Sequence, residues 1–215
     1  MEKDTLERGK KMVEEGMVAK ALCSTVSDAF FRTHTLPHVE VEFRLGHRTP
    51  RGFDPDMGPS VHATLLKALH AYPGWESVTI TKDQVRRLSH GVRVISNGDG
   101  VISVQRKTKR VTMDMDTFPG RSVRFAVAQE HPMDRAALED MDARWHEHGT
   151  VVARTRWSFL RKGVRIDITQ IRGAGLTTQH QVELEIMHAA AIVEDGHLLP
   201  IMHKILDVQR AAGLV

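Results

Sequence analysis

The chain has 215 residues, a formal net charge of +3 at pH 7 and one cysteine, Cys23. This length predicts a single domain over residues 1–215. A lone cysteine excludes an internal disulfide framework and favours a reducing compartment, with Cys23 as a small core residue. No run approaches the ~20 apolar residues of a membrane helix, and the opening MEKDTLERGKKMVEEG mixes acids and bases, unlike a targeting peptide. We therefore expect a soluble intracellular protein with no membrane partner.

Helical spacing of apolar residues marks an N-terminal segment, residues 1–33, and a C-terminal segment, residues 197–215. One or two helices are expected between Leu6 and Phe31. Their inward stripe consists of Leu6, Met12, Val13, Met17, Leu22, Val26 and Phe30. Ser60 is predicted to cap a further helix. The inward residues of that helix are Val61, Leu65, Leu66 and Leu69. Residues 133–149 indicate a short helix or an ordered insertion.

Short runs of alternating apolar and polar residues, typical of β-strands, begin with His38–Gly46 and resume from Ser77 onward. Between them, residues 47–60 are rich in Pro, Gly and Asp and predict a loop. The sequence Asn97–Gly100, NGDG, predicts a hairpin turn because Asn and Gly tolerate positive φ. About eight strands joined mostly by short turns, over residues 38–188, predict an antiparallel barrel or sandwich.

The polar phase of these strands is unusually rich in acids and bases. In HVEVEFRLG, Glu40, Glu42 and Arg44 alternate with apolar residues, and QVELEIM near the other end places Glu183 and Glu185 in one phase. The strands between them carry Arg93, Lys107, Lys109, Arg124, Glu130, Arg154, Arg156, Arg165, Asp167 and Thr169. If these faces turn inward, the barrel encloses a hydrophilic tunnel. The opposite phase would then pack outward beneath helices, as with Val41, Phe125, Trp157, Ile166 and Leu184.

The two E-x-E strands, VEVEFRLG and VELEIM, resemble those of the triphosphate tunnel metalloenzymes, in particular the metal-dependent RNA 5′-triphosphatases of fungal, protozoal and viral mRNA capping. The segments GVRVIS, RKTKRV, RFAVAQE, RTRWSF and RIDITQ are similar, in that order, to the intervening strands of the family. One departure is Gln181, at a place where the family often has a third acid. The resemblance implies a closed antiparallel eight-stranded β-barrel with a hydrophilic interior, flanked by helices.

The resemblance also implies the site. Mg²⁺ or Mn²⁺, which prefer oxygen ligands, would be held by Glu40, Glu42, Glu183 and Glu185. The implied phosphate-binding residues are Arg93, Lys107, Arg124, Arg154 and Arg156. Lys109 remains an alternative to Lys107. Glu130 would orient or deprotonate the attacking water, although a salt bridge to a neighbouring arginine is a rival explanation, and Asp167 would fix the basic side chains or a metal-bound water.

Three functions are consistent with the sequence. The first is a nuclear RNA 5′-triphosphatase that removes the γ-phosphate from the 5′-triphosphate end of nascent RNA, with NTPase activity in Mn²⁺ and an RNA guanylyltransferase as a possible partner. The second is a tripolyphosphatase or thiamine triphosphatase of the same fold. The third is a non-catalytic barrel that binds RNA phosphates, which the four glutamates disfavour because they would repel an RNA backbone unless a metal ion lay between.

Overall fold

The computed structural model describes residues 2–141, 143–173 and 177–214, and the side chains of this set from residue 11 onward. The helices are α1 (Glu2–Phe31), α2 (Gly58–Ala71), α3 (Arg135–Met141) and α4 (Asp195–Ala211). The strands are β1 (Val39–Thr49), β2 (Gly52–Asp54), β3 (Ser77–Arg87), β4 (Val92–Asn97), β5 (Gly100–Phe118), β6 (Arg121–Pro132), β7 (Thr150–Arg161), β8 (Val164–Gly173) and β9 (Gln179–Ile186).

Eight of these strands form a closed antiparallel barrel. Their order around it is β1, β6, β5, β4, β3, β7, β8 and β9, and β9 pairs with β1 to close the ring. The short β2 adds only to the end of β1, where Thr49 lies opposite Gly52. Closure brings the first and last strands of the chain side by side, so residues about 140 positions apart in the sequence become neighbours.

The apolar phase of the strands faces outward, as the alternation predicted. Val41, Phe125, Ile166 and Leu184 are buried in the main core, and Trp157 packs against it. Side chains of α1, α2 and α4, such as Phe30, Leu65 and Ile205, complete this core. The polar phase is thereby left on the inner face of the barrel, since successive side chains of a strand alternate between its two faces.

A smaller apolar cluster lies beneath α3. Val92, Val94 and Val104 of the β4–β5 hairpin pack against Leu138 of α3, and Trp145 covers the cluster. The hairpin turn falls at residues 98–99, as NGDG predicted. The helix expected within residues 133–149 is confirmed as α3, and its role is to cover the outer face of this hairpin.

The predicted N-terminal helix is present, but half of its predicted inward stripe is wrong. Leu22, Val26 and Phe30 are buried, whereas Met12, Val13 and Met17 are 73%, 65% and 67% exposed; the side chain of Leu6 lies outside those described. The buried face continues instead through Ala19 and Glu15, and the Glu15 carboxylate pairs with Arg210 near the end of α4. The inward face of α1 is therefore set by the α4 helix packed against it, and not by the most apolar positions.

Two local predictions between β1 and α2 are also corrected. Ser60 does not cap α2, which begins at Gly58 with Pro59 in its first turn; the Asp56 carboxylate accepts the Gly58 N–H at 3.0 Å instead. Pro is favoured there because its fixed φ suits a helix and its missing N–H needs no partner. The segment predicted as a loop also contains the end of β1 and the strand β2. Among the described helices, none has the length and apolar character needed to span a membrane.

Candidate active site

The two E-x-E strands lie next to each other inside the barrel. In the β1–β9 ladder, Glu42 is directly opposite Glu185, and Arg44 is directly opposite Glu183. Directly opposed residues project to the same face of a sheet, with Cβ atoms ~5 Å apart. Glu40 lies on that face too, two residues before Glu42. Barrel closure therefore assembles four glutamates from the two ends of the strand region into one acidic wall.

Each glutamate of this acidic wall has a basic partner. The Lys107 ammonium contacts the Glu40 carboxylate, and Arg44 bridges Glu42 at 2.9 Å and Glu183. Across the wall, the Arg165 guanidinium pairs with the Glu185 carboxylate. The acidic wall is thus neutralised from within the tunnel by side chains of three different strands.

Burial and mutual repulsion perturb these carboxyls. Burial, together with the negative charge of Glu183, raises the pKa of Glu42 to about 7. Burial also raises the pKa of Glu185 to about 7, against the attraction of Arg165. For Glu183, burial acts in the same direction, but Arg44 and neighbouring cations outweigh it and lower the pKa. Clustered carboxyls that resist ionisation are the arrangement that a bound cation would relieve.

A basic wall is formed mainly by β7 with its neighbours β3 and β8. Arg154 donates two hydrogen bonds to the Asp83 carboxylate of β3, at 2.8 and 2.7 Å. The Arg156 guanidinium lies 3.3 Å from the carboxylate of Asp167 on β8, and Asp167 is only 1% exposed. Asp167 also accepts hydrogen bonds from Ser158 at 2.6 Å and from Arg165 at 3.1 Å. Asp167 therefore contacts Arg156, Ser158 and Arg165 together, and its predicted role in fixing the basic side chains stays a prediction.

Several buried polar atoms in the tunnel have no hydrogen-bond partner within the part of the chain that the structure describes. These are the Nε atoms of Arg44 and Arg156 and the Oγ1 atom of Thr169, which lies opposite Arg156 in the β7–β8 ladder. A buried donor without an acceptor costs about 1–3 kcal/mol, so native proteins rarely leave one unfilled. Two guanidinium N–H groups and a hydroxyl on the inner face of the barrel are donors suited to an oxyanion such as phosphate.

Lys107 links the acidic wall to Glu130. Its ammonium lies 3.1 Å from the Glu130 carboxylate, which Arg93 approaches at 3.5 Å. The salt bridge that rivalled a catalytic role for Glu130 is therefore present. Lys109, the alternative tunnel lysine, is exposed and lies opposite Ala128, whereas Lys107 lies opposite Glu130 in the β5–β6 ladder. The carboxylate across the ladder decides which lysine is drawn into the tunnel.

Arg124 is placed apart from the other predicted residues. It donates two hydrogen bonds to the Asp114 carboxylate, at 2.6 and 2.9 Å, and its guanidinium lies 4.5 Å from the ring centre of Phe53. It shares the inner face of the barrel with Arg44, its direct neighbour in the β1–β6 ladder. Its contacts nonetheless belong to the β2 end of the barrel, and its predicted role as a phosphate ligand stays a prediction.

The sequence did not assign roles to Arg44, Asp83 and Arg165. Arg44 and Arg165 were visible in the polar phase of their strands, but their partners depend on which strands become neighbours. Asp83 lies in a run, SVTITKDQV, whose alternation was not resolved into inner and outer faces. A further tunnel arginine, Arg87, has a pKa lowered by burial and by Arg93, Arg44 and Arg154, so it lies within reach of those charges.

The acidic wall has the ligand chemistry of a site for a hard divalent cation. Carboxylate oxygens are the donors that Mg²⁺ and Mn²⁺ prefer, and four of them share one face of two adjacent strands. Within the described part of the chain, no group of three His, Cys, Asp or Glu side chains is already placed to hold a metal ion. The glutamates instead point to Lys107, Arg44 and Arg165. The residues therefore fit a metal ion in their donor chemistry, and binding would require the carboxylates to leave these basic partners and converge on the ion.

No protein-family model and no curated protein sequence matches the chain. Among solved structures, the S. pombe Pct1 RNA triphosphatase superposes with a TM-score of 0.69 at 16% sequence identity, covering 90% of this chain and 91% of that one. The same enzyme in complex with the Spt5 CTD gives a TM-score of 0.69 over 90% of this chain and 92% of that one, also at 16% identity.

A viral protein extends the comparison. The Mimivirus capping enzyme triphosphatase superposes with a TM-score of 0.53 at 10% identity, covering 87% of this chain and 95% of that one. The similarity extends over nearly the whole barrel and its helices in both cases. At these identities the similarity concerns the fold. The chain therefore has the triphosphate tunnel metalloenzyme fold.

Proposed function

We propose that this protein is a metal-dependent RNA 5′-triphosphatase that converts the 5′-triphosphate end of nascent RNA to a diphosphate and releases phosphate, the first step of mRNA capping. One observation carries the proposal. Four glutamates on the adjacent strands β1 and β9 face a basic wall, formed by β7 and its neighbours, inside a single closed barrel. A triphosphate needs such a pairing, since cleavage of its γ-phosphoryl group depends mainly on positioning and charge stabilisation.

The residues divide into an acidic and a basic set. Glu40, Glu42, Glu183 and Glu185 would hold Mg²⁺ or Mn²⁺. Bound there, the ion supplies neutralisation of the phosphate oxygens and Lewis-acid assistance to phosphoryl transfer. The triphosphate itself would be gripped by Arg93, Lys107, Arg154 and Arg156, with Arg124 as an outer contact. A guanidinium presents two donors in a plane, so it fixes both the position and the orientation of a phosphate.

Glu130 is the residue proposed to position the attacking water and accept its proton. Its carboxylate lies 3.1 Å from the Lys107 ammonium, and Arg93 is 3.5 Å away. These two cations hold Glu130 beside the phosphate-binding side chains. Asp167, buried beneath Arg156 and Arg165, keeps the guanidinium groups aligned without contacting the phosphate.

The decisive experiment is a phosphate-release assay. Triphosphate-ended RNA, ATP and tripolyphosphate are each compared in Mg²⁺, in Mn²⁺ and in excess EDTA. We expect release from RNA in both metals, release from ATP in Mn²⁺, and none in EDTA. Preference for tripolyphosphate over RNA would identify the small-molecule branch instead, and RNA binding without any hydrolysis would identify a non-catalytic barrel.

Single substitutions test the residue assignments. Replacing Glu40, Glu42, Glu183 or Glu185 by Ala should abolish turnover while the far-ultraviolet circular dichroism stays unchanged, because these side chains face the tunnel and not the core. Glu139→Ala on the exposed surface of α3 is the matched control and should turn over at the wild-type rate. Wild-type activity in any two of the four variants would contradict the metal-site assignment. Nuclear localisation and a guanylyltransferase partner follow from this function and are proposed with it.

A further inference from the structure

A pocket of about 460 Å³ lies on the outer surface of the barrel, between α2, α4 and the turn that joins β7 to β8. Its wall is mainly apolar and is built by Leu69, Tyr72, Trp75, Val164, Ile166 and Val208. Val164 and Ile166 belong to the outward phase of β8, whereas Arg165 between them faces the tunnel. The pocket is therefore separated from the candidate active site by the barrel wall. Its volume falls in the range of ligand pockets, ~300–1,000 Å³.

Three basic side chains surround this apolar pocket. Arg161, Lys162 and Lys204 all line it, and among the described residues no carboxylate lies within salt-bridge distance of any of them. The Arg161 guanidinium stacks 4.8 Å from the Tyr72 ring centre, and the Lys204 ammonium donates to the Arg161 carbonyl oxygen at 3.2 Å. These contacts fix Arg161 and Lys204 in place without neutralising them, whereas the Lys162 side chain is exposed.

Two acids, Glu76 and Asp207, lie beside the three cations of the rim. The Glu76 carboxylate accepts the backbone N–H of Lys162 at 2.8 Å, and Asp207, at the edge of the pocket, pairs with Arg210 at 3.0 Å. Burial together with the positive charges of Arg161 and Lys162 lowers the pKa of Lys204. The rim of the apolar pocket therefore carries a net positive charge, since three cations face Glu76 and Asp207, and Asp207 is paired with Arg210.

We propose that this pocket binds an acidic peptide segment of a partner protein, with an apolar side chain in the pocket and flanking carboxylates on Arg161, Lys162 and Lys204. The charge of the rim selects an anionic ligand. The wall then distinguishes a peptide from RNA. A nucleobase carries donors and acceptors around its edge that need partners when buried, and the carbon wall of Leu69, Val164 and Val208 offers none.

The mode of binding resembles other protein–peptide interfaces, in which one anchor side chain enters a pocket and charges on the rim set partner choice and association rate. Trp75 is held in place because its indole N–H donates to the Leu69 carbonyl oxygen at 2.7 Å. The aromatic side of the pocket is therefore preformed. A ligand held partly by exposed charges should bind less tightly as salt is added.

The test uses the full chain and fluorescein-labelled eight-residue peptides of Glu and Asp with one central Leu, Ile, Phe or Trp, measured by fluorescence anisotropy. Matched peptides replace the central residue by Ser, or all the acids by Gln and Asn. A ten-residue adenylate RNA with a 5′-hydroxyl end is the nucleic-acid arm. We expect at least one apolar-centred acidic peptide to bind, with affinity at least tenfold above its Ser and Gln/Asn counterparts, and weaker binding at higher salt.

Two variants locate the site. Lys204→Glu should weaken the best peptide at least tenfold by reversing one rim charge, and Ala68→Trp should do so by filling the pocket from α2. Lys20→Glu, an equal charge change at an exposed position of α1, should leave binding unchanged. All three variants should have the far-ultraviolet circular dichroism and the thermal unfolding midpoint of wild type, which confirms folding and keeps this test separate from that of the proposed function.

Three outcomes would overturn the proposal. The first is the absence of binding by all four apolar-centred peptides at millimolar concentration. The second is equal binding by wild type and Lys204→Glu. The third is Lys204-dependent binding of the 5′-hydroxyl RNA in preference to the peptides, which would assign the pocket to nucleic acid.

Discussion

Replacing Glu42 by Gln should stabilise the ligand-free protein at pH 8. Glu42 is 7% exposed, and burial together with Glu183 raises the pKa of its carboxyl from an ordinary value of 4.5 to about 7. The folded protein therefore holds this proton more tightly than the unfolded chain does. The free energy of unfolding is unaffected by Glu42 below pH 4.5, and it falls as the pH rises from 4.5 to 7.

The size of the effect follows from the shift in pKa. At about 1.4 kcal/mol for each pKa unit, ionised Glu42 costs the folded state roughly 3 kcal/mol above pH 7. Gln has the shape of the protonated acid and carries no charge, so Glu42→Gln should recover most of that cost. For a chain of this length, 3 kcal/mol corresponds to an increase in Tm of roughly 6–12 °C. Near pH 4 the two proteins should be equally stable.

The assay is urea and thermal unfolding at pH 4 and pH 8 in EDTA. Glu139→Gln is the control, because Glu139 is an exposed partner of Arg135 on α3 and should change stability by less than ~0.5 kcal/mol at both values. Adding Mn²⁺ at pH 8 should stabilise wild type more than Glu42→Gln if Glu42 binds the ion. A variant less stable than wild type at pH 8, or one stabilised equally at both pH values, would refute the electrostatic argument.

Substitutions at three further positions test the geometry of the barrel. Arg154→Lys and Arg156→Lys should each lower kcat by ~30- to 1,000-fold in the phosphate-release assay, because an ammonium cannot reproduce the two parallel donors of a guanidinium. Arg135→Lys on the surface is the control. Wild-type kinetics for both tunnel variants would argue against phosphate contacts. Gly91→Ala should cost ~2–4 kcal/mol in urea unfolding, because Gly91 has φ +74° and a Cβ there would lie 2.5 Å from the Lys107 carbonyl oxygen. Gly120→Ala, at φ +70° with no atom within 4 Å, should cost only ~1–2 kcal/mol, and an equal loss in both would show that the contact with β5 is unimportant.

Alternation within strands was the part of the fold that the sequence predicted well. A period of two is exact, so Phe125 and Leu184 could be assigned to the outer core and Arg156 and Asp167 to the tunnel from their own segments alone. Strand order came from the resemblance. Register came from neither, and register decides that Glu42 faces Glu185 while Arg44 faces Glu183.

The inward residues of the helices were predicted less accurately, because the helical period of 3.6 residues does not divide side chains between two fixed faces as the strand period of two does. The inward face of α1 depends on where α4 ends, and there Arg210 binds the polar Glu15 while Met12 remains exposed. The start of α2 likewise depends on Asp56, whose carboxylate also accepts the backbone N–H of His180 on β9 at 2.9 Å. Such a tertiary contact can override the local preference of Ser60 for a cap position.

Under the proposed function, the ion pairs of the tunnel should make a cation and a triphosphate bind cooperatively. In the ligand-free protein, Lys107 forms an ion pair with Glu40, and Arg44 forms ion pairs with Glu42 and Glu183. A divalent cation bound to the carboxylates would release the Lys107 ammonium and the Arg44 guanidinium, which could then bind phosphate oxygens. If only one ligand were bound, either the basic groups or the carboxylates would be left unpaired in a buried site. We expect Mn²⁺ to raise the affinity for tripolyphosphate at least tenfold in calorimetry, and tripolyphosphate to raise that for Mn²⁺ by the same factor. Glu42→Gln should lose this gain. Equal affinity with and without Mn²⁺ would show that the two walls act independently.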